Sequence, residues 1–164
     1  MRAAFVLACV LVAGPAAADQ VDASLPTADF VLVDKSERVL TLYADGRAYR
    51  AYRGIQLGDA PQGHKQFQGD ERTPEGRYTI DYANPESSYW LSLHISYPND
   101  ADRAYAEAYG RSPGGEIFIH GQPNWLPMGR LPGDWTDGCI ALSNAEIEEL
   151  WQLVPDGTPI EIRP

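Results

Sequence analysis

Residues 116–142 read EIFIHGQPNWLPMGRLPGDWTDGCIAL. An apolar run ends in His120-Gly121, a loop rich in glycine, proline and tryptophan follows, and Thr136-Asp137-Gly138-Cys139 leads into Ile140-Ala141-Leu142. The two apolar runs predict two strands joined by a long connection. The first brings an imidazole to its end; the second starts from a thiol that follows a glycine. A base beside a sulfur nucleophile is the layout thiol catalysis requires.

Outward from this stretch the pattern stays mostly β. Phe30–Asp34, Arg38–Tyr43 and Arg47–Tyr52 carry strand character, and Asp45-Gly46 is a strong hairpin signal between the last two. Gly58, Pro61, Gly63, Gly69, Pro74 and Gly76 mark residues 54–76 as mostly loop. Arg77–Asp81 and Trp90–Ile95 predict two further strands, with His94 read as a satisfied sheet histidine ahead of a site residue. Asn99-Asp100-Ala101-Asp102 opens a short helix whose acidic first turn suits the macrodipole; it runs to about Tyr109 and stops at Gly110. On the other side, Ser143-Asn144-Ala145-Glu146 has capping-box spacing. Ile147, Leu150, Trp151 and Val154 then form one helical face, which makes Trp151 a core residue. Thr158–Ile162 is a final strand. The fold class is therefore mainly β with flanking helices, without internal repeats or heptads.

At 164 residues, 44% hydrophobic and 22% charged, the chain is most simply one domain. Its start is different in kind. Arg2 precedes the apolar run Ala3–Ala13, and Ala16-Ala17-Ala18 offers a small-residue cleavage site, so residues 1–18 are read as a signal peptide, too short to span a bilayer comfortably. Residues 19–28 form a polar leader and 29–164 the functional domain. Export predicts a periplasmic protein with no stable membrane insertion once the signal is cleaved. Cleavage removes Cys9 and leaves Cys139 alone, and a lone thiol in an oxidising compartment points to reactivity. The formal charge, −10 for the chain, disfavours nucleic acid and anionic lipid as partners.

Cys139 attacks carbonyl carbon well only as a thiolate, and His120 is positioned in sequence to take its proton and return one to a leaving amine. Gly138 leaves room for a substrate backbone, and the peptide N–H groups from Asp137 to Cys139, with Thr136 leading in, are candidates to hold the oxyanion. The carbonyl of Gly121 is the candidate to orient the imidazole. One exported cysteine and three histidines lack the close spacing of a zinc site, and no G-x-S-x-G supports a serine hydrolase, so no metal and no cofactor are expected.

His120-Gly121 followed by Thr136-Asp137-Gly138-Cys139-Ile140 resembles the His…[Ser/Thr]-x-Gly-Cys signature of the L,D-transpeptidase catalytic domain, the YkuD-type family. Val33-Asp34-Lys35-Ser36, Gly63-His64-Lys65, Gly69-Asp70, Arg72-Thr73-Pro74-Glu75-Gly76 and Ser96-Tyr97-Pro98-Asn99 look like its YafK-like branch. The resemblance implies a β-sandwich and an exported cysteine acyltransferase acting on peptidoglycan stem peptides in cell-wall biogenesis and cell shape. It makes Cys139 the nucleophile and His120 the base, with a thioester passed to an amine (cross-linking, D-amino acid exchange or protein attachment) or to water. The chain departs from cross-linking members at Asp137, where they carry histidine, and at Ala141, where they carry arginine. YafK-like relatives include enzymes that hydrolyse the link to a wall-attached protein, so a peptidoglycan amidase or carboxypeptidase is the alternative; a non-catalytic wall-binding module is a third.

Overall fold

The computed structural model describes residues 25–164; the expected signal peptide and residues 19–24 of the expected leader lie outside them. Eight strands and two helices follow in order: β1 (Phe30–Asp34), β2 (Val39–Ala44), β3 (Arg47–Arg53), β4 (Gly76–Asn84), β5 (Ser92–Ile95), α1 (Asp100–Ala108), β6 (Ile117–His120), β7 (Ile140–Ala141), α2 (Asn144–Leu153) and β8 (Thr158–Arg163). The domain is mainly β with flanking helices, as the sequence predicts.

β1, β2 and β3 form an antiparallel meander. Its hairpin turns through Asp45 at φ 52° and Gly46 at φ 72°, the paired left-handed conformation that makes Asp-Gly a good hairpin turn. β8 inserts in the middle of the sheet, parallel to β1 and antiparallel to β4, and its alternate residues Thr158, Ile160 and Ile162 are buried. The strand order is β3-β2-β1-β8-β4-β5-β6-β7. Beyond β3 the chain curls round to meet the opposite edge. Gln56 exchanges backbone hydrogen bonds of 3.0 and 2.8 Å with Ala141 of β7, and Gly58 bridges to Thr136. The sandwich-like packing thus comes from one sheet curled on itself around a core that includes Leu40, Leu42, Ile80, Leu93, Ile95, Ile119 and Ile140.

Two boundaries differ from the sequence expectation. β5 begins at Ser92 because Trp90, at φ 70°, leaves the extended conformation. β4 runs on to Asn84 through a register shift between Ile80 and Tyr82, an irregularity that hydrophobic alternation does not reveal. Both helices start as the sequence predicts. Asn99 and Asp102 close a capping box on α1, Ser143 and Glu146 close one on α2, and α2 buries Ile147 and Leu150 while Trp151 stays half-buried against the core.

Candidate active site

β6 and β7 run parallel, with Ile119 opposite Ile140 and His120 opposite Ala141. That register carries Cys139, one residue before β7, to the level of Phe118, whose N–H donates to Cys139 Sγ at 3.4 Å. The thiol lies within 3.6 Å of the Glu116 carbonyl oxygen as a donor. Cys139 is half-buried, not sealed, and lines the same cavity as His120. This cavity, of about 830 Å3, is also walled by Lys65, Glu71, Tyr89, Glu116, Trp135 and Asp137.

His120 is buried, and its Nδ1 lies 2.6 Å from the Gly121 carbonyl oxygen. A carbonyl can only accept, so Nδ1 carries the proton and Nε2 keeps its lone pair. Gly121 has no room for a side chain: a Cβ there would lie 2.7 Å from Asn144 Oδ1 and 2.8 Å from Trp90 Cβ. α2 therefore packs directly on the peptide that orients the imidazole. Tyr89 and Trp135 flank the ring, with centroids 4.7 and 5.6 Å away.

The turn into the thiol is held from below. Thr136 is buried, its Oγ1 donates to the Cys139 carbonyl at 2.8 Å, and it accepts from the Gly138 N–H at 3.2 Å. Gly138 sits at φ +129°, and a Cβ on it would lie 2.5 Å from the Arg72 carbonyl oxygen. The space expected above Gly138 for a substrate backbone is therefore filled by the protein's own chain. The glycine is required by this close approach, and its N–H is already engaged. Asp137 is exposed on the cavity wall.

Burial pushes the Cys139 thiol up to about 11; Asp137 and Glu116 add to this, while the Phe118 N–H and Lys65 work against it. Burial also pulls His120 down to about 4, against the hydrogen bond to Gly121. Both groups are neutral at rest. Moving the proton from sulfur to nitrogen ahead of any attack costs on the order of 10 kcal/mol before the attraction between the resulting ions is counted. The arrangement favours proton transfer that accompanies carbon–sulfur bond formation over a standing thiolate–imidazolium pair.

The loop over residues 54–75 is fixed by buried polar anchors. Lys35 Nζ donates to the Gly63 and Thr73 carbonyls and to Glu75 Oε1 at 2.8, 3.1 and 2.7 Å. His64 accepts from the Glu75 N–H at 2.9 Å and bonds Asp102 at 3.0 Å, so it ties the loop to α1 and stands outside the cavity lining. His94 stacks on Tyr82 at 4.5 Å and bonds Asp81 at 2.6 Å, a satisfied sheet histidine. Sequence reasoning leaves Lys65, Tyr89 and Glu116 unassigned. Tyr89 and Lys65 reach the cavity from loops that carry no periodic signal. Trp135 lines the cavity, whereas Trp125 is 72% exposed and does not. Among the described residues, no group of three His, Cys, Asp or Glu side chains gathers to hold a metal ion.

A curled, mainly β domain with a thiol and an oriented imidazole in one cavity defines the class of protein. The chain belongs to the L,D-transpeptidase catalytic domain (YkuD) family, whose sequence model matches residues 28–162. It is 30% identical over 130 residues to YafK of Escherichia coli (strain K12), covering 76% of this chain and 46% of that protein. The crystal structure of Pgp2, the helical cell shape determining protein of Campylobacter jejuni, superposes with a TM-score of 0.66 at 32% identity, over 84% of this chain and 48% of that one. Bd1075 of Bdellovibrio bacteriovorus superposes at 0.56 with 26% identity, over 83% and 48%. The chain thus spans about half the length of these relatives.

Proposed function

We propose that the protein is an exported, periplasmic cysteine acyltransferase acting on peptidoglycan stem peptides through a thioester on Cys139. The observation that carries this reading is the shared cavity of Cys139 and His120, with His120 Nδ1 committed to Gly121 and Nε2 left basic. Family membership supplies the substrate class. In the first half-reaction Sγ attacks the amide carbon while His120 Nε2 takes the thiol proton. Peptide N–H groups of the Asp137–Cys139 turn stabilise the oxyanion, with Gly138's own N–H excepted because Thr136 holds it. The imidazolium gives its proton to the leaving amine as the carbon–nitrogen bond breaks, leaving the thioester. In the second half-reaction an amine or water attacks, His120 takes its proton, and the sulfur leaves with a proton restored.

Water is the rival acceptor. Asp137 lines the cavity and Ala141 is wholly buried, so neither supplies the histidine and arginine that the family resemblance associates with cross-linking. Incubation with tetrapeptide muropeptides followed by product masses separates the two. A cross-linked dimer or exchanged D-amino acid identifies transfer, and a trimmed or released peptide alone identifies hydrolysis. Cys139→Ala abolishes either; turnover that persists in this variant overturns the reading.

A further inference from the structure

We infer that Lys65 is the receptor for a substrate carboxylate inside the cavity, a specificity-determining residue that supplies the positive charge Ala141 lacks. The inference rests on reading this cavity as the stem-peptide site.

Two lysines of this domain are buried among polar loop atoms, and they differ in one respect. Lys35 uses all three of its N–H donors on the protein and does not line the cavity. Lys65 is equally buried, at 3% exposed, yet lines the cavity with Cys139 and His120. Its Nζ donates to Asp70 Oδ1 at 2.9 Å and to the Phe67 carbonyl at 3.3 Å. Among the described residues, two acceptors meet three donors. The third N–H of this buried ammonium is left to water or to a ligand that enters the cavity.

Asp70 positions Lys65 and does not simply cancel it. The same carboxylate accepts from the N–H groups of Gln66, Phe67 and Arg72 at 2.7, 2.9 and 3.2 Å, so its charge is spread over the loop that carries it. Burial pushes the Asp70 carboxyl up, but Lys65 and these three amides outweigh it and hold it below the ordinary carboxylate range.

The remaining walls sharpen the contrast. Glu71, Glu116 and Asp137 are exposed carboxylates on the cavity lining, and His120 is neutral. Lys65 is the one cation among the described lining residues. Ala141 is enclosed between His120 and Gln56 and contributes nothing to the cavity surface. A carboxylate entering this mouth meets like charge on Glu71, Glu116 and Asp137 and a cation only at Lys65, whose partner Asp70 is already engaged by three backbone N–H groups. Placement of that one group then fixes how far the peptide enters and which amide carbon reaches Sγ.

The test compares a tetrapeptide stem with analogues in which each carboxylate in turn is an amide, using wild type, Lys65→Met, Lys65→Arg and, as a control, Arg50→Met, which breaks the Arg50–Glu149 pair outside the cavity lining. In the wild type, one amidation raises KM about tenfold, the scale of a hydrogen bond to a charged group. Lys65→Met raises KM for the parent peptide by a similar factor and leaves the KM of that one analogue unmoved. Lys65→Arg retains most of the preference, and Arg50→Met leaves it unchanged. Equal losses on every analogue, or a wild type indifferent to amidation at every position, overturn the inference. Should Lys65→Met not fold, Lys65→Gln, which keeps a polar side chain without the charge, takes its place in the same comparison. Binding of the same peptides to the Cys139→Ala protein by calorimetry separates the two claims. Binding that depends on Lys65 without turnover in the wild type sinks the acyltransfer reading alone; turnover with no dependence on Lys65 sinks the inference alone.

Discussion

Alkylation of Cys139 as a function of pH reads the resting charge of the site directly. The perturbation is titration of the folded protein with iodoacetamide, scored by peptide mass at Cys139, against the same protein unfolded in urea. An ordinary thiol at 9.0 is about 1% ionised at pH 7, whereas one raised to about 11 is ionised to roughly 1 part in 10,000. The higher pKa also makes the thiolate more nucleophilic, by about 6- to 10-fold for a Brønsted slope of 0.4–0.5. The folded thiol should therefore react about 10- to 15-fold more slowly than the unfolded one at pH 7. Its rate should climb tenfold per pH unit through pH 10 without levelling off. A folded-state rate that plateaus below pH 8, or that exceeds the unfolded rate at neutrality, means that His120 already holds a thiolate at rest. That result refutes the neutral-pair mechanism.

Acid should destabilise the fold through His120. Its folded pKa of about 4 lies below the ordinary 6.5, so the unfolded chain binds the extra proton first, and stability is lost as pH falls from about 6.5 toward 4. The loss attributable to this residue is roughly 2 kcal/mol at pH 5 and 3 kcal/mol at pH 4, measured as the difference between urea unfolding of wild type and His120→Gln; parallel curves refute it. Gly138→Ala should cost roughly 3–5 kcal/mol in the same assay, because it adds left-handed strain to a 2.5 Å clash with the Arg72 carbonyl. Gly121→Ala pushes α2 off the peptide that orients His120, so kcat should fall about tenfold or more with less change in KM; an unchanged kcat would separate Gly121 from catalysis.

The strands, both helix starts and the His120–Cys139 stretch are legible because each rests on local chemistry: alternation, the acidic first turn of α1, the capping spacing of α2, and an Asp-Gly turn that requires φ > 0 at both residues. What the sequence hides is long-range. Nothing local says that Gln56 will pair with Ala141, 85 positions away, and without that closure the cavity has no wall from residues 65–71. Gly138 shows how a residue is legible while its reason is not. A glycine before a thiol suggests room for substrate, but the backbone that needs the room is Arg72, in a loop with no predicted structure. Lys65 is hidden for a related reason, since a lysine in a glycine-rich loop reads as solvated until the loop is seen to fold inward.

The site draws on segments distant in sequence, and each is fixed by polar contacts of its own. The imidazole is set by the Gly121 carbonyl under α2, the thiol turn by Thr136, and the facing loop by Lys35, His64 and Asp70. Such preorganisation means that the groups need not be charged to be in place. With thiol and imidazole both neutral at rest, the proposed attack places negative charge on the carbonyl oxygen and positive charge on the imidazole that takes the thiol proton, both arising only as the sulfur–carbon bond forms. In that proposed reaction, fixed N–H dipoles of the turn would act on charge that exists only in the transition state, which lowers the barrier without stabilising the resting state. A preformed ion pair would instead keep the sulfur nucleophilic toward any electrophile at rest. In the proposed reaction a half-buried neutral thiol is less reactive at rest, and a peptide that displaces water from the cavity and presents its amide carbon would meet it together with the base.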